Sequence, residues 1–167
     1  THDARSQLFV SLSQKASAQW VLDADISGFF DNINHEWLLN RVHMNKGMLA
    51  KWLKSGVVDK GQLLRTDDGT PQGGIISPTL ANITLNGLET GLAQFLREEL
   101  GTGNAQKGKV HLVRYADDFV VTGSSKELLQ TVIQPWIVKF LRERGLTLSE
   151  EKTRIVHIDQ GFDFLGW

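Results

Sequence analysis

Apolar and polar positions along the first part of the chain form short blocks that predict both strands and helices. Residues 19–26 are mostly apolar and favour a buried strand. Residues 36–42 and about 47–55 have apolar positions at helical spacing, and Gly56 is suited to end the second helix. Residues 57–64 hold apolar pairs around a polar turn, which predicts a small hairpin.

A longer helical pattern begins at Ser77-Pro78. A hydroxyl N-cap followed by proline at the first helical position is a favourable helix start. Apolar residues then recur at helical spacing as far as Gly101, which predicts one helix over this stretch. Residues 101–109 are polar and rich in glycine, and we expect them to form a flexible loop.

Two β-prone segments flank a pair of acidic residues in the second half. Residues 110–115 and 119–122 are apolar and rich in residues that favour strands. Asp117-Asp118 lies between them. The pattern therefore predicts a hairpin with two carboxylates at its tip.

The last part of the chain combines a helix with further strands. Ser124 and Glu127 match a capping box, and the helix that follows contains Pro135, which should kink or split it. Residues 153–158 alternate as in a strand, and residues 162–167 are predicted to form a final short strand. The order of elements favours an α+β fold, with helices on one face of an antiparallel sheet.

Length and composition agree with one globular domain. The chain has 167 residues, of which 41% are apolar and 22% are charged. No apolar run approaches the roughly 20 residues of a membrane span, and no signal-peptide pattern opens the chain. The absence of cysteine excludes disulfides and thiolate zinc sites. We expect a cytoplasmic protein without a membrane partner.

The charge balance argues against a free-standing nucleic-acid binder. The net charge is −1, with 18 basic and 19 acidic residues. Proteins that bind nucleic acid alone usually carry a basic excess, because affinity comes largely from neutralising phosphates.

The adjacent acids Asp117 and Asp118 are costly unless a cation lies near them. At about 4 Å and an effective dielectric of about 20, their repulsion is on the order of 4 kcal/mol. A solvated turn is the ordinary alternative, since aspartate is common in turns. The apolar flanks instead favour a carboxylate pair at the edge of a core, where a divalent cation such as magnesium would balance the charge.

A third carboxylate is available at the end of the first strand. Asp25 follows an apolar strand, although it could instead cap the next turn, and Asp23 and Asp31 compete for the role. If Asp25 lies beside Asp117, the two could bridge a pair of metal ions. Two metal ions about 4 Å apart stabilise the attacking and leaving oxygens of an in-line phosphoryl transfer.

The stretch GTPQGGIISP, residues 69–78, is rich in glycine. Taken alone, it is compatible with an ordinary loop before a capped helix. Glycine pairs also let a backbone approach a ligand closely, and a helix N-terminus favours phosphate. Gln72 would add both a hydrogen-bond donor and an acceptor.

Five segments occur in an order typical of one enzyme family. They are DADISGFFDNINH, GTPQGGIISPTLANI, VRYADDFVV, LTLSEEKT and GFDFLGW. Together they resemble successive motifs of the polymerase palm of reverse transcriptases, in particular the reverse transcriptases, or maturases, encoded by bacterial and organellar group II introns. The resemblance covers the whole chain and implies a palm whose antiparallel sheet has an RRM- or ferredoxin-like core.

The resemblance implies roles for the acids. Asp25, Asp117 and Asp118 match the catalytic aspartates, with Asp25 and Asp117 as the principal magnesium ligands. The backbone carbonyl of Ile26 is expected to complete the coordination. Two Mg²⁺ ions are implied as cofactors, with Mn²⁺ as a substitute.

Further positions match residues that handle the substrate. Phe30 matches the aromatic steric gate that excludes a ribose 2′-hydroxyl, although Phe29 beside it leaves the choice of ring open. Gln72 matches the glutamine near the incoming nucleotide, and Gly73 adjoins it. Lys152 matches a lysine that protonates the pyrophosphate leaving group; a solvated surface lysine is the alternative.

The remaining matches concern the primer and the hairpin. Arg114 could contact the nucleic-acid backbone or pair with an acid, and Tyr115 is expected at a substrate-binding position. Residues 162–167 resemble the primer grip. Ser27 departs from the family, where many relatives have a basic residue, so a local phosphate contact there is in doubt.

The resemblance also implies a domain organisation. We expect one palm over residues 1–167, with remnants of fingers at 1–18 and 43–76, and without thumb, maturase or endonuclease regions. In this family much of the basic surface lies in those other regions, which accounts for the neutral charge. The expected partners of the full-length protein are an RNA template, a DNA primer, a deoxynucleoside triphosphate and group II intron RNA. The fragment alone is expected to bind template weakly, and its oligomeric state stays open.

Three alternatives remain at this point. One is a non-catalytic RNA-binding scaffold, which the three retained aspartates disfavour. Another is a reverse transcriptase of a CRISPR or defence system, since such relatives share these motifs. A nucleotide cyclase with a related palm is the third, but the Pro-Gln-Gly loop and the Ala-Asp-Asp turn do not suit that class.

Overall fold

The structure is a computed structural model. It describes residues 2–13, 16–55, 57–59, 62–64, 69 and 76–166. The predicted positions Gln72 and Gly73 lie outside the described residues, as do the turn at residues 60–61 and Gly56.

Four strands form the central sheet and two form a separate hairpin. The strands are β1 (Trp20–Ala24), β2 (Val57–Asp59), β3 (Gln62–Leu64), β4 (Leu112–Tyr115), β5 (Asp118–Gly123) and β6 (Arg154–His157). The sheet order is β4-β5-β1-β6, all neighbours are antiparallel, and β2 pairs with β3. Both predicted hairpins are therefore confirmed, as are the predicted strands at β1 and β6.

Helices connect and cover these strands. They are α1 (His2–Leu12), α2 (Phe29–Asn32), α3 (His35–Arg41), α4 (Lys46–Leu53), α5 (Ser77–Leu85), α6 (Leu88–Leu100), α7 (Thr102–Lys107), α8 (Lys126–Leu128) and α9 (Gln134–Arg142). A π-helical segment, Leu129–Ile133, joins α8 to α9, so the predicted helix is interrupted directly before Pro135. None of the described helices is long and apolar enough to cross a membrane.

The two faces of the sheet bury different side chains, because neighbours along a strand point to opposite sides. Leu22 and Phe119 face a large apolar core built with α3 to α6 and α9. Val21 and Val120 face a smaller core against α1 and Phe164. Strand order and antiparallel pairing confirm the α+β class and the ferredoxin-like core. Most helices cover one face as predicted, but α1 packs on the other face.

The single long helix predicted after residue 77 is wrong. The chain forms α5 and α6 with a break at Asn86-Gly87, where Gly87 has φ 88°. Ser77 is also not the N-cap: it lies inside the first turn and is buried, and Ile76 occupies the cap position. The apolar spacing continues across the break because both helices bury residues in the same core, so the pattern did not show it.

Three other local predictions need correction. Residues 102–107 form α7 rather than a flexible loop, and Ala105 packs against the large core. The N-cap of α8 is Ser125, whose side chain accepts from the Leu128 amide, rather than Ser124. The described part of 162–167 contains no strand, because positive φ values at Leu165 and Gly166 break an extended path.

Candidate active site

The turn between β4 and β5 brings Asp117 and Asp118 to one end of the sheet. Tyr115 pairs with Asp118 across the hairpin, which leaves Ala116 and Asp117 as a two-residue loop. Ala116 has φ 56°, a left-handed conformation that costs a non-glycine residue about 1 kcal/mol. The guanidinium of Arg114 donates to the Ala116 carbonyl at 2.8 Å, which helps to hold this turn.

Arg114 is thus engaged within the protein. Besides the turn carbonyl, its Nη1 donates to the Asn82 side chain on α5 at 3.1 Å. Tyr115, by contrast, is 45% exposed at the end of the hairpin. Of the two substrate-contact candidates on β4, Tyr115 therefore presents free surface, whereas Arg114 links the hairpin to α5.

Asp25 is held at the end of β1 by the segment that precedes β6. Its backbone carbonyl accepts from the Ser149 amide at 2.8 Å, and its amide lies 3.4 Å from the Thr153 hydroxyl. One residue further on, Ile26 is buried and forms an isolated antiparallel bridge with Leu148. These contacts fix the backbone of Asp25 and Ile26 relative to β6.

Asp25 and Asp118 line one cavity. Side chains along β1 and β5 alternate between the two faces of the sheet, so Asp23 and Asp118 lie on the face of the smaller core, where they line the cavity. Its volume is about 550 Å³. It is lined by Asp23, Ala24, Asp25, Asp118, Phe119, Glu151, Lys152, Arg154, Asp163, Phe164, Leu165 and Gly166.

Two ion pairs join residues that line the cavity. Lys152 Nζ lies 3.5 Å from Asp25 Oδ2, and Arg154 Nε lies 3.1 Å from Asp23 Oδ2. Lys152 is 70% exposed along its side chain, so it is free to reach a bound molecule. The structure brings Lys152 and Asp25 together across 127 positions of sequence.

Arg154 and Asp163 are cavity residues that the sequence interpretation missed. The ion pair between Asp23 and Arg154 could be predicted only from the register of β1 against β6, in which the two residues lie directly opposite each other. Phe164, Leu165 and Gly166, from the motif that resembles the primer grip, also line the cavity.

Burial and neighbouring negative charges raise the pKa of two of these acids, Asp118 and Asp23. The pKa of Asp118 lies above its ordinary value, first because of burial and then because of the negative charges of Asp117, Asp25 and Asp23. The pKa of Asp23 is also raised, mainly by burial, although Arg154 opposes the shift. A negative potential of this kind favours a cation in the cavity.

The raised pKa of Asp118 predicts a pH-dependent gain in stability for Asp118→Asn. Above the raised pKa, the folded protein holds a charge that burial and then the neighbouring acids disfavour, so the amide should raise the melting temperature by about 1–3 °C at neutral pH without divalent ions. The gain should vanish as the pH falls below the ordinary value of 3.8, where both states are protonated. Thermal unfolding from pH 3 to pH 8 measures this.

Glu98→Gln is the matched control, because Glu98 lies on α6 away from the cavity. It should change the melting temperature little at any pH. A loss of stability in Asp118→Asn that is equal at all pH values would contradict the electrostatic account.

Phe29 and Phe30 differ in burial. Phe29 is 4% exposed and belongs to the large core. Phe30 is only partly buried and meets Phe29 edge to face, with ring centroids 5.2 Å apart. Of the two rings that the sequence left open, Phe30 is therefore the one with a surface that a substrate could contact.

The carboxylate oxygens match the donor chemistry of magnesium, which binds hard oxygen ligands. Within the described ranges, no three carboxylate or imidazole groups converge closely enough to form a complete metal site. Asp117, which the sequence predicts as a principal ligand, lies in the turn next to Asp118 and is not among the residues that line the cavity. The counter-charge nearest to Asp25 is the ammonium of Lys152. In their donor chemistry, although not in a converged geometry, Asp25 and Asp118 fit a divalent ion, which would compete with Lys152 for Asp25.

The fold is that of a polymerase palm with an acidic cavity at one end of its sheet, and comparison with known proteins identifies its family. The model for "Reverse transcriptase (RNA-dependent DNA polymerase)" matches residues 2–167. The chain belongs to the reverse transcriptase family.

Two similar proteins indicate which branch of the family the chain resembles. The chain is 31% identical over 207 residues to the group II intron-encoded protein LtrA of Lactococcus lactis subsp. cremoris, covering 90% of this chain and 35% of LtrA. It is 30% identical over 179 residues to protein YkfC of Escherichia coli (strain K12), covering 89% of this chain and 46% of YkfC. The similarity to LtrA confirms the resemblance to group II intron-encoded proteins. The chain spans less than half the length of either relative.

A solved structure supports the fold. Telomerase from Candida tropicalis, in complex with the TWJ fragment of telomeric RNA, superposes with a TM-score of 0.69 at 15% identity. The match covers 99% of this chain and 31% of that chain. At this identity the likeness concerns the fold alone, and it agrees with the palm predicted from the sequence motifs.

Proposed function

We propose that this chain is the catalytic palm of an RNA-directed DNA polymerase of the group II intron type. The observation that supports this most strongly is the convergence of Asp25, Asp118 and Lys152 on one cavity beside the hairpin turn. The polymerase would extend a DNA primer on an RNA template from deoxynucleoside triphosphates. The full-length protein would also bind its intron RNA and assist splicing and mobility.

Asp25, Asp117, Asp118 and the carbonyl of Ile26 would hold two Mg²⁺ ions, with Mn²⁺ as a substitute. When bound, these ions supply charge stabilisation to the attacking primer 3′-oxygen and the departing pyrophosphate. The close acids Asp117 and Asp118, and the raised pKa of Asp118, fit a site whose negative charge is balanced by cations.

Lys152 is proposed to act on the leaving group. Its ammonium lies 3.5 Å from Asp25, and its exposed side chain is long enough to turn toward a triphosphate. There it would donate a proton to the pyrophosphate oxygen as the bond to the α-phosphate breaks.

The other cavity residues are proposed to position the reactants. Phe30 would exclude a 2′-hydroxyl, with Gln72, Gly73 and Tyr115 near the nucleotide. The Phe164–Gly166 side of the cavity would hold the primer 3′ end. Arg114 would act indirectly, because its bond to the Ala116 carbonyl supports the turn that bears Asp117.

We also propose the domain organisation that the resemblance to reverse transcriptases implies, which the partial coverage of LtrA and YkfC supports. Residues 1–167 would form one palm, with remnants of fingers at 1–18 and 43–76. Thumb, maturase and endonuclease regions would then belong to other parts of a longer protein. A net charge of −1 is compatible with this, because the polymerase would need basic surface outside the palm to hold its template.

Metal-dependent incorporation tests the proposal. The full-length protein that contains this chain should incorporate labelled deoxynucleotide into a primer on an RNA template with Mg²⁺, and excess EDTA should stop it. RNA binding should be measured in parallel by filter retention. RNA binding without incorporation at any Mg²⁺ or Mn²⁺ concentration would instead support the non-catalytic scaffold.

A further inference from the structure

The side chain of Arg154 uses only part of its hydrogen-bonding capacity within the protein. Its Nε donates to Asp23 Oδ2 at 3.1 Å, and the register of β1 against β6 places the two residues directly opposite each other. A guanidinium carries five N–H donors in a planar fork. Within the described residues, the bond to Asp23 is the one hydrogen bond of this guanidinium, so the donors of both Nη groups are available to a ligand.

Arg154 is the more exposed partner of this ion pair. Its side chain is 52% exposed, whereas that of Asp23 is 21% exposed. Both residues line the cavity that also contains Asp25 and Asp118. Asp23 therefore orients the guanidinium through Nε and leaves the Nη groups accessible to a molecule that enters the cavity.

The charge of the cavity is unfavourable for a nucleic-acid strand. Its described lining includes five acids, which are Asp23, Asp25, Asp118, Glu151 and Asp163. The same lining includes two bases, which are Lys152 and Arg154. Backbone phosphates are negative, so a strand enters such a cavity only where a cation offsets the repulsion.

The two bases lie at different positions along β1. Lys152 lies 3.5 Å from Asp25, whereas Arg154 pairs with Asp23, two residues earlier in the chain. Two residues of a strand span about 7 Å, and one strand of a duplex advances about 3.4 Å per nucleotide. A nucleic-acid strand whose 3′ end lies at Asp25 and whose backbone follows β1 therefore brings a phosphate to Arg154 within about two nucleotides.

We propose that Arg154 binds a backbone phosphate of the primer strand, close to the primer 3′ end. Its Nη groups suit the paired oxygens of a phosphate, and Asp23 holds the guanidinium in place. This inference rests on the proposed polymerase function, in which the same cavity receives the primer 3′ end. It gives a role to the second base of the cavity, while Lys152 acts on the leaving group.

The salt dependence of binding distinguishes a phosphate contact from a structural role. Binding of the full-length protein to a DNA primer annealed to an RNA template is measured without deoxynucleotide over a series of KCl concentrations. In Arg154→Gln, the dissociation constant at low salt should rise on the order of 10-fold, and the slope of log K against log salt should become shallower by about one. Arg154→Lys keeps the charge and should keep the slope. A wild-type slope in Arg154→Gln would overturn the proposal.

The double variant Asp23→Asn/Arg154→Gln controls for the charge of Asp23. Arg154→Gln alone leaves Asp23 without its counter-charge, which by itself repels a strand. The double variant keeps the net charge of the wild-type cavity but lacks the guanidinium. It should show the shallower slope of the single variant. Recovery of the wild-type slope and affinity would mean that Arg154 only neutralises Asp23.

Neutral linkages in the primer locate the contact. When one phosphate at a time is replaced by methylphosphonate, wild-type binding should weaken at one linkage within the last few nucleotides of the primer. The same replacement should have no further effect in Arg154→Gln, because the two changes remove the same contact. Sensitivity confined to linkages of the template strand would contradict the assignment to the primer.

Arg142→Gln is the matched control for the loss of a positive charge. Arg142 is an exposed arginine on α9, which packs on the face of the sheet opposite to the cavity. This variant should retain the wild-type sensitivity to the neutral linkage. Loss of that sensitivity in Arg142→Gln would show that the effect does not require a base in the cavity, which would overturn the role of Arg154.

Binding and extension distinguish failure of this inference from failure of the proposed function. If the wild type extends no primer although Arg154→Gln loses the phosphate contact, the polymerase proposal fails and the contact of Arg154 with a strand end stands. If the wild type extends the primer and Arg154→Gln raises only the KM for deoxynucleotide, with unchanged duplex binding, the role of Arg154 fails and the polymerase proposal stands.

Discussion

Asp117→Ala is expected to reduce primer extension at least about 10³-fold while leaving the protein folded. Asp117 lies in the two-residue loop that closes β4 onto β5, so its carboxylate is not part of the core. Removing it takes away one of the proposed magnesium ligands and changes no buried contact. Single-turnover extension with saturating Mg²⁺ measures the loss of rate, and circular dichroism reports the fold.

The control for this variant is Glu98→Ala, which removes an exposed carboxylate on α6 outside the cavity. It should retain nearly full activity. Extension by Asp117→Ala at a rate near that of the wild type would remove the basis for assigning catalysis to the turn.

Phe30→Ala is expected to relax discrimination against ribonucleotides, roughly 10–100-fold. The ring of Phe30 is only partly buried, so truncation opens space beside α2 where a 2′-hydroxyl could fit. The ratio of kcat/KM for a deoxynucleotide to that for the matching ribonucleotide measures the effect. Incorporation of the deoxynucleotide should fall much less than the ratio does.

Phe29→Ala is the comparison that distinguishes the two rings. Phe29 is buried, so its truncation should lower the free energy of unfolding by about 3–5 kcal/mol without changing the sugar preference. Altered discrimination in Phe29→Ala, with none in Phe30→Ala, would reverse the assignment.

Local sequence patterns predicted the sheet well because its strands are short runs of apolar residues that favour β-structure. β1 and β5 are short apolar runs, and the acids between β4 and β5 are bounded by residues that favour strands. The break at Asn86-Gly87 was missed because the apolar spacing continues across it, and helix α7 was missed because its polar, glycine-containing sequence suggests a loop. Packing against the core overrides these local preferences.

Part of the candidate site could not be predicted from the sequence, because it depends on contacts between residues that are far apart in the chain. The motifs indicated Asp25, Asp118 and Lys152, and all three line one cavity. The pairing of Asp23 with Arg154 requires the β1–β6 register, and the contact of Gly69 with the Phe30 backbone requires a chain path that no local pattern encodes. The positions of Gln72 and Gly73 stay predictions, since they lie outside the described residues.

Sequencing the DNA product tests the central claim most directly. The full-length protein, supplied with a DNA primer on an RNA template of defined sequence, the four deoxynucleotides and Mg²⁺, should produce DNA complementary to the template. Asp25→Asn should produce none under the same conditions. Absence of product from the wild type, or extensions whose sequence does not depend on the template, would contradict the assignment of this cavity to RNA-directed DNA synthesis.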